Sequence, residues 1–545
     1  MLGLMQHHPL LISSLIEHAA NAHSNSQIVS YSTDSPIHRC TYPDINQRAK
    51  KIAGVLTDLG IRKGDRVGTL ALNSYRHMEL FFGISGMGSV IHTVNPRLFP
   101  EQIEYIISHA EDQYLFFDLA FSSLVEKLAP TLKTVKGFIA MTDRANMPNL
   151  KMSNLHCYED LLANQHSDYE WPKLDENTAS ALCYTSGTTG NPKGVLYSHR
   201  STLLHAMQTC MPDSMGLSAT DTLFMAAPMF HVNAWGMPYA CAMTGAKMVL
   251  PGAALDGASI YRAMKDEAVT VSMGVPTVWM AFQQYVEEKK LQPKQDLILN
   301  RVLSGGAAVP QVVAETFEKS FGARMMHAWG MTETSPFVTL CNPLLKHRGA
   351  SLEERIKLQT KQGRVLFGVN IKLTDDNGKT LAHDGETSGH LLARGHWVAS
   401  SYYHAEEKSI VDEEDWFDTG DIATIDADGY MQITDRAKDL IKSGGEWISS
   451  IALENAATRH PSVAEAAVIA IAHPKWQERP LMIVVTKNDC EVTKQELLDY
   501  LGDKVAKWSL PDDVVFVEQL PHTATGKLQK MALRKEFGNF KFHNV

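Results

Sequence analysis

A chain of 545 residues exceeds the usual size of one domain, and 44% hydrophobic with 21% charged residues is an ordinary globular composition. The formal net charge of −10, with no long basic run, excludes nucleic acid as the main partner, because phosphate neutralisation needs clustered Lys and Arg. The seven cysteines (Cys40, Cys157, Cys183, Cys210, Cys241, Cys341 and Cys490) are scattered without a Cys-x-x-Cys pair. That excludes a disulfide framework or a zinc site and suits reduced thiols in the cytoplasm.

In chain order, residues 9–15 form an apolar patch without a basic flank or a small-residue cleavage site, so no signal peptide is expected. Residues 14–20 and 45–59 have helical periodicity, the second ending at Gly60 as a C-cap. Residues 65–72 read as a buried strand, and helix, glycine connection and apolar strand recur over 78–90 and 102–117. Such alternation predicts α/β layers with mainly parallel strands.

After the apolar run 179–183 comes Tyr184-Thr185-Ser186-Gly187-Thr188-Thr189-Gly190-Asn191-Pro192-Lys193-Gly194. Glycines allow close backbone approach, and clustered N–H groups, hydroxyls and a lysine cradle phosphate oxygens. The loop is not a Walker A loop, since Pro192 precedes Lys193 and Gly194 follows it. A plain Gly/Ser/Thr linker would not need the apolar strand before it or Val195-Leu196 after it.

Residues 223–250 are the most apolar region, but Pro228, His231, Asn233, Gly236, Pro238, Gly245 and Lys247 interrupt it. A buried pocket is expected there, and no membrane span. Residues 269–273 and 303–306 resemble strand ends entering glycine turns, where α/β sheets bind ligands. Ala328-Trp329-Gly330-Met331-Thr332-Glu333-Thr334 sets a hydroxyl for phosphate beside a carboxylate for Mg²⁺. Alone, Thr332-Glu333 would also read as a helix start.

From Gly363 the texture becomes short β segments, with Asp375-Asp376-Asn377-Gly378 as a hairpin signal between 369–374 and 389–394. Gly378-Lys379-Thr380 lacks the earlier glycine of a Walker loop and reads as a turn. Asp421 sits in a glycine turn, as ribose-binding carboxylates do. The charged run 435–442 leads to Gly444-Gly445-Glu446, and 521–527 places Lys527 on a Gly/Thr turn. The chain's last part reads as a small α/β unit: strands 464–472, 481–486 and 514–518, with a capping box at Thr493 opening a helix to about Trp508.

In this order and spacing, over essentially the whole chain, these motifs resemble the adenylate-forming superfamily of acyl-CoA synthetases, peptide-synthetase adenylation domains and luciferases. The narrower resemblance is to bacterial short- and medium-chain fatty-acyl-CoA ligases, including methylmercaptopropionate-CoA ligases. It is carried by Val94-Asn95-Pro96-Arg97-Leu98-Phe99-Pro100, Phe230-His231-Val232-Asn233-Ala234-Trp235-Gly236 and Gly444-Gly445-Glu446-Trp447-Ile448-Ser449, together with Met1-Leu2-Gly3. The implied fold is α/β. It has a large N-terminal domain (1–437) of layered sheets with a small β-barrel-like subdomain, and a small mobile C-terminal α+β domain (438–545) hinged at Lys438.

The implied reaction joins a carboxylic acid to AMP from ATP, releases pyrophosphate, then transfers the acyl group to the thiol of CoA. The resemblance assigns the loop from Thr185 to Gly190 and Lys193 to the β- and γ-phosphates, with Thr188 also near the metal. It assigns Thr332 to the α-phosphate, Glu333 to Mg²⁺, and Asp421 and Arg436 to the ribose. Gly305, Gly306, Ala307, Trp329, Gly330 and Met331 would line the AMP site, and Lys527 would bridge the two reacting anions. Lys442, Ser443, Gly444, Gly445, Glu446 and Trp447 would line the CoA tunnel. His231, Val232, Trp235, Val275 and Pro276, with Met237 and Met331, would line the acyl pocket, His231 and Trp235 sharing one face if their segment is helical.

Where the family has Gly-Glu-Leu-x-x-Arg-Gly, this chain has Gly389-His390-Leu391-Leu392-Ala393-Arg394-Gly395, so His390 receives no role. ATP, Mg²⁺, CoA and a small acid are the expected ligands, in a cytoplasmic enzyme with a homodimer as its admissible assembly. The competing functions are a luciferase-like monooxygenase, an adenylation domain serving a separate carrier protein, and an inactive binding protein. The Gly-Gly-Glu-Trp segment favours the ligase.

Overall fold

The computed structural model describes residues 1–542 except 2, 32, 33, 35, 36, 186–190, 407, 408, 444, 445, 488, 489, 491 and 523–527. Their strands form three sheets. The first holds, in spatial order, Leu155–Cys157, Gly137–Ala140, Tyr114–Phe117, Arg66–Leu70, Val90–Thr93, Ala179–Tyr184 and Gly194–Ser198. All neighbours are parallel except the last pair. Tyr114-Leu115-Phe116-Phe117 is buried at every position, as a parallel strand covered on both faces must be. The glycine-rich loop joins the antiparallel pair, so it is a hairpin connection at the edge of an otherwise parallel sheet.

The second sheet begins at His38–Thr41 and runs through Gln27–Ser30, Lys247–Leu250, Thr222–Met225, Val271–Gly274 and Arg301–Ser304 to Arg324–Gly330. Past its edge pair these neighbours are parallel. From Arg324–Gly330 onward the same sheet is antiparallel, through Phe337–Leu340, Gly363–Val365, Tyr430–Arg436, Phe417–Ile425, Gly389–Gly395 and Val369–Thr374. The change from parallel to antiparallel thus comes earlier than the texture change expected at Gly363. Phe337–Leu340 is buried throughout, so nothing in its residue pattern marks it as antiparallel.

The helix Tyr75–Gly86 lies between these sheets and is buried along its whole length. Tyr75 N donates to Ser30 Oγ on one side, and Ser85 Oγ donates to Ser180 O on the other. Its buried charges are paired: Arg76 with Asp34 and Glu159, Glu79 with Arg48 and the Tyr158 hydroxyl. Pairing is what makes such burial tolerable.

The third sheet contains Glu446–Ile448, Ile441–Ser443, Gln477–Thr486, Val463–His473 and Asp513–Phe516. The capping box forms as expected, with Thr493 N donating to Glu496 Oε2 and Glu496 N to Thr493 Oγ1. Its helix stops at Gly502 instead of near Trp508, since glycine is a poor helix former; a separate turn covers Lys507–Ser509. The Asp375–Gly378 turn also forms, with Gly378 N donating to Asp375 O at φ +79°. It returns the chain to a single bridge at Thr380, whereas Thr374 pairs in the ladder with His390. Among the described residues no helix is long and apolar enough to cross a membrane.

Candidate active site

Where the three sheets approach one another, a cleft of about 920 Å³ opens at the carboxyl ends of the parallel strands. One part of its wall is built on the stem of the glycine-rich loop. Thr185 N donates to Lys193 O at 2.9 Å, and Lys193 N donates to Thr185 Oγ1 at 3.2 Å. Thr185 and Lys193 line the cleft. Ser186, Gly187, Thr188, Thr189 and Gly190 lie outside the described residues.

Just past the loop, the buried Tyr197 hydroxyl donates to Thr332 O at 2.6 Å. This pins the Thr332-Glu333 turn, which follows the strand Arg324–Gly330, to the strand leaving the loop. A Cβ on Gly330 would sit 1.9 Å from Pro336 O, so only glycine lets the chain turn there. Thr332 and Glu333 are buried against the cleft. The Tyr402 hydroxyl donates to Glu333 Oε1 at 2.7 Å, and Lys193 Nζ lies 4.7 Å from the centre of the Tyr402 ring. Tyr402 therefore couples the lysine and the carboxylate. Burial, then the Glu333 charge, pushes its hydroxyl well above the ordinary tyrosine range, which keeps it a donor.

Further along, Gly305, Gly306 and Ala307 follow the strand Arg301–Ser304, with Gly306 at φ +82°. Trp329 Nε1 donates to Asp421 Oδ2 at 2.8 Å, across 92 residues of chain. Asp421 stands opposite Arg436 in the antiparallel ladder, and Arg436 Nε lies 2.6 Å from Asp421 Oδ1. Trp329 and Arg436 are on the cleft wall, and Asp421 is buried behind them.

His231, Val232, Trp235 and Met331 also line the cleft. The segment carrying the first three is not the right-handed helix the spacing allowed. Val232, Asn233, Ala234 and Trp235 all have φ between 46° and 55°, and Gly236 has φ +78°. Left-handed backbone costs non-glycine residues about 1–2 kcal/mol each. Burial holds the turn: Cys183 Sγ donates to Asn233 Oδ1 at 3.2 Å, and Trp235 meets the Phe337 ring edge-on at 5.8 Å. Phe337 stacks on His205, whose Nε2 accepts from Phe337 N. Val275, Pro276 and Met237 are not among the residues lining the cleft; Pro276 opens a helix and Met237 is fully buried.

The small unit contributes Ile451, Glu454, Asn455, Leu528 and Lys530, facing Asp435 and Lys438. Ser450 N and Oγ donate to Asp435 Oδ2 at 2.6 and 2.7 Å, and Lys530 Nζ pairs with Glu454 at 2.7 Å. Burial raises the Asp435 carboxyl, opposed by Lys530 and Ser450, and burial also lowers the Lys438 ammonium. Lys442, Ser443 and Trp447 are away from the cleft wall: Lys442 Nζ covers the Trp447 ring at 4.9 Å, and Ser443 Oγ accepts from Arg479. Gly444, Gly445, the side chain of Glu446, and Lys527 lie outside the described residues. His390 Nε2 pairs with Asp376 at 3.0 Å, not with the cleft.

Sequence reasoning missed Tyr197, Tyr402, Asp435 and Lys530. Tyr402 has no local signal, because its contact spans 69 residues. Asp435 stood in a recognised charged run, and its Ser450 partner 15 residues on was the available clue.

Residues 16–403 match the AMP-binding enzyme family, and residues 452–527 match its C-terminal domain. The chain is 50% identical over 539 residues to 3-methylmercaptopropionyl-CoA ligase of Ruegeria lacuscaerulensis, covering 98% of this chain and 99% of that one. It is 48% identical to medium-chain-fatty-acid–CoA ligase of Ectopseudomonas oleovorans, covering 99% and 98%. The crystal structure of the anthranilate CoA ligase AuaEII with anthranoyl-AMP is similar at a TM-score of 0.85 and 27% identity, covering 97% of this chain and 98% of that one. Matched over residues 16–403 and about half identical to these ligases along nearly its whole length, the chain belongs to the AMP-binding enzyme family.

Proposed function

We propose that the protein is an ATP-dependent, AMP-forming acyl-CoA ligase for a short- to medium-chain carboxylic acid. The observation that carries this reading is the convergence of Lys193, Thr332-Glu333, Trp329-Asp421-Arg436 and His231-Trp235 on one cleft. It sets a lysine and a hydroxyl–carboxylate turn, suited to anions and a cation, beside a Trp–Asp–Arg cluster and apolar lining.

In the first step an acid carboxylate attacks the α-phosphate of ATP and pyrophosphate leaves. Two anions must meet, so the work is positioning and charge neutralisation. The loop residues Ser186, Gly187, Thr188, Thr189 and Gly190, with Lys193, hold the outer phosphates, and Thr332 touches the α-phosphate. Asp421 and Arg436 hold the ribose, Trp329, Gly305, Gly306 and Ala307 flank the base, and Lys527 bridges carboxylate and phosphate. Glu333 fits Mg²⁺: it is a buried carboxylate on the cleft beside a hydroxyl, and hard cations take oxygen ligands. When bound, Mg²⁺ would neutralise phosphate charge. Tyr402 fixes one Glu333 oxygen by donating to Oε1.

In the second step CoA displaces AMP. We assign Lys438 as the hinge between a domain of residues 1–437 and one of 438–545. Lys442, Ser443, Gly444, Gly445, Glu446 and Trp447 now lie off the cleft or outside the described residues, and rotation at Lys438 would bring them to it. The relatives at 50% and 48% identity support two substrates, 3-methylthiopropionate and a medium-chain fatty acid. AMP and pyrophosphate release across short- to medium-chain acids and 3-methylthiopropionate, with and without CoA, tests the reading. Acyl-CoA with stoichiometric AMP is expected. Oxygen uptake or light without CoA would overturn it.

A further inference from the structure

Two histidines on the cleft wall have no part in the reaction described so far. His109 lies in the last turn of the helix Pro100–Ala110, and it lines the cleft with Tyr105, Tyr403 and His404. Its Nδ1 is 2.7 Å from the Tyr184 hydroxyl. Tyr184 ends the strand entering the glycine-rich loop and stands opposite Gly194, where the chain leaves it. On that leaving side Tyr403 N donates to Gly194 O at 2.8 Å. The His109 ring meets the rings of Tyr403 and His404 at 5.9 and 5.8 Å. His109 therefore touches one foot of the glycine-rich loop directly, at Tyr184, and reaches the other through Tyr403. His404 stacks on Tyr403 at 4.0 Å with its backbone at φ +52°, a conformation that persists where surrounding structure holds it and that clusters at functional sites.

Tyr184 fixes the hydrogen-bond roles. Burial raises its hydroxyl well above the ordinary value, so it keeps its proton and donates to His109 Nδ1. Burial, then the neighbouring His404 and His92, lowers the His109 imidazolium against the opposing Glu111, favouring the neutral ring. A neutral imidazole whose Nδ1 accepts carries its proton on Nε2. That N–H has no hydrogen-bond partner among the described residues. The result is a fixed donor, on a helix, beside a loop that binds polyphosphate.

We propose that His109 is a ligand of the pyrophosphate portion of ATP, its Nε2–H donating to an oxygen of the β- or γ-phosphate, with His404 as a second imidazole at the same mouth. The proposal rests on the acyl-adenylate reading for its ligand. It adds to the loop a contact that is lost when pyrophosphate departs, since AMP retains no phosphate at that end.

Calorimetric binding of inorganic pyrophosphate, ATP and AMP to the full chain tests it, because these titrations need no turnover. The pair His109→Asn and His109→Gln separates the two ring nitrogens. Asn can meet Tyr184 but cannot reach the Nε2 position, whereas Gln can. The expected result is a pyrophosphate Kd about tenfold weaker for Asn, from one lost hydrogen bond to a charged group. Gln should lie within about twofold of the native chain, AMP Kd should be unchanged in both, and thermal midpoints should match. Equal pyrophosphate Kd in all three proteins overturns the proposal, as does a parallel loss of AMP binding. If native pyrophosphate binding shows the expected pattern but no acid yields AMP, the ligase reading falls and the anion-binding role of His109 stands.

Discussion

In the part of the cleft proposed to hold the nucleotide, Trp329, Asp421 and Arg436 are placed by strand register; in the part proposed to hold the acyl group, His231, Val232 and Trp235 are placed by a left-handed turn. Register is cheap to encode. Each residue keeps ordinary extended backbone, and neighbouring strands bring their side chains together. The left-handed turn instead needs four non-glycine residues in an unfavoured conformation, held only by what packs on them. The two ends should therefore respond differently to substitution. Changes at the nucleotide end alter chemistry and nucleotide affinity in a folded protein, and changes at the acyl end alter stability first.

The largest effect is expected from Glu333→Gln. Glutamine keeps the shape and still accepts from Tyr402, so only the charge at the phosphates is lost. Removing one group that stabilises developing charge typically costs about 10²–10³ in rate. AMP release from acid and ATP should fall by that factor, while thioester formation from supplied acyl-AMP should remain. An unchanged adenylation rate would remove Glu333 from the chemistry. Next comes Asp421→Asn, which loses the charge that holds Arg436 at 2.6 Å. The KM for ATP should rise about tenfold, as expected for a hydrogen bond to a charged group. A matching rise in the KM for the acid would mean that the two ends are not independent.

What the sequence revealed follows the same division. The loop from Tyr184 to Gly194, Thr332-Glu333 and Asp421 stood out as short runs with a residue type suited to a ligand, and Arg436 through the family resemblance; each signal was weak alone. Their convergence was not readable from spacing, since Trp329 and Asp421 meet across 92 residues. The helix, strand and capping-box readings succeeded where periodicity or a cap was local, as at Thr493. The switch of the second sheet at Phe337–Leu340 was hidden because a strand buried on both faces shows no alternation. The turn at Val232–Gly236 was hidden for a different reason: its backbone is imposed by Cys183, Phe337 and His205, none of them nearby in sequence.

Gly236→Ala tests the acyl end directly. At φ +78° alanine pays the left-handed penalty of about 1–2 kcal/mol, and its Cβ would stand 2.7 Å from His205 Nδ1. Urea denaturation should show at least that loss, with the KM for ATP unchanged at the folded end. His205 adds a pH dependence. Burial lowers its pKa from 6.5 to about 3, so the folded chain holds it neutral while the unfolded chain takes up a proton below 6.5. Its contribution is fully present above 6.5 and is lost as pH falls toward about 3, at about 1.4 kcal/mol per pH unit. His205→Gln should flatten the slope of unfolding free energy against pH by that amount. An unchanged slope would show that the ring titrates freely.

The smallest effect is expected where the nucleotide end depends on tertiary packing. Tyr402 lies far from Glu333 in sequence, yet its hydroxyl holds Glu333 Oε1 and its ring lies beneath Lys193. Tyr402→Phe removes only the hydroxyl. A net hydrogen bond is worth about 1 kcal/mol, so adenylation should slow roughly fivefold with both KM values unchanged. Tyr402→Leu also removes the ring under the Lys193 ammonium, a further loss of about 0.5–1 kcal/mol that should fall on ATP affinity. A stepwise decline from Tyr to Phe to Leu would show that the phosphate end, like the acyl end, is positioned partly by distant residues. If Phe matches Tyr while Leu loses activity, the hydroxyl does not position Glu333, and the ring's support of Lys193 is the whole of its role.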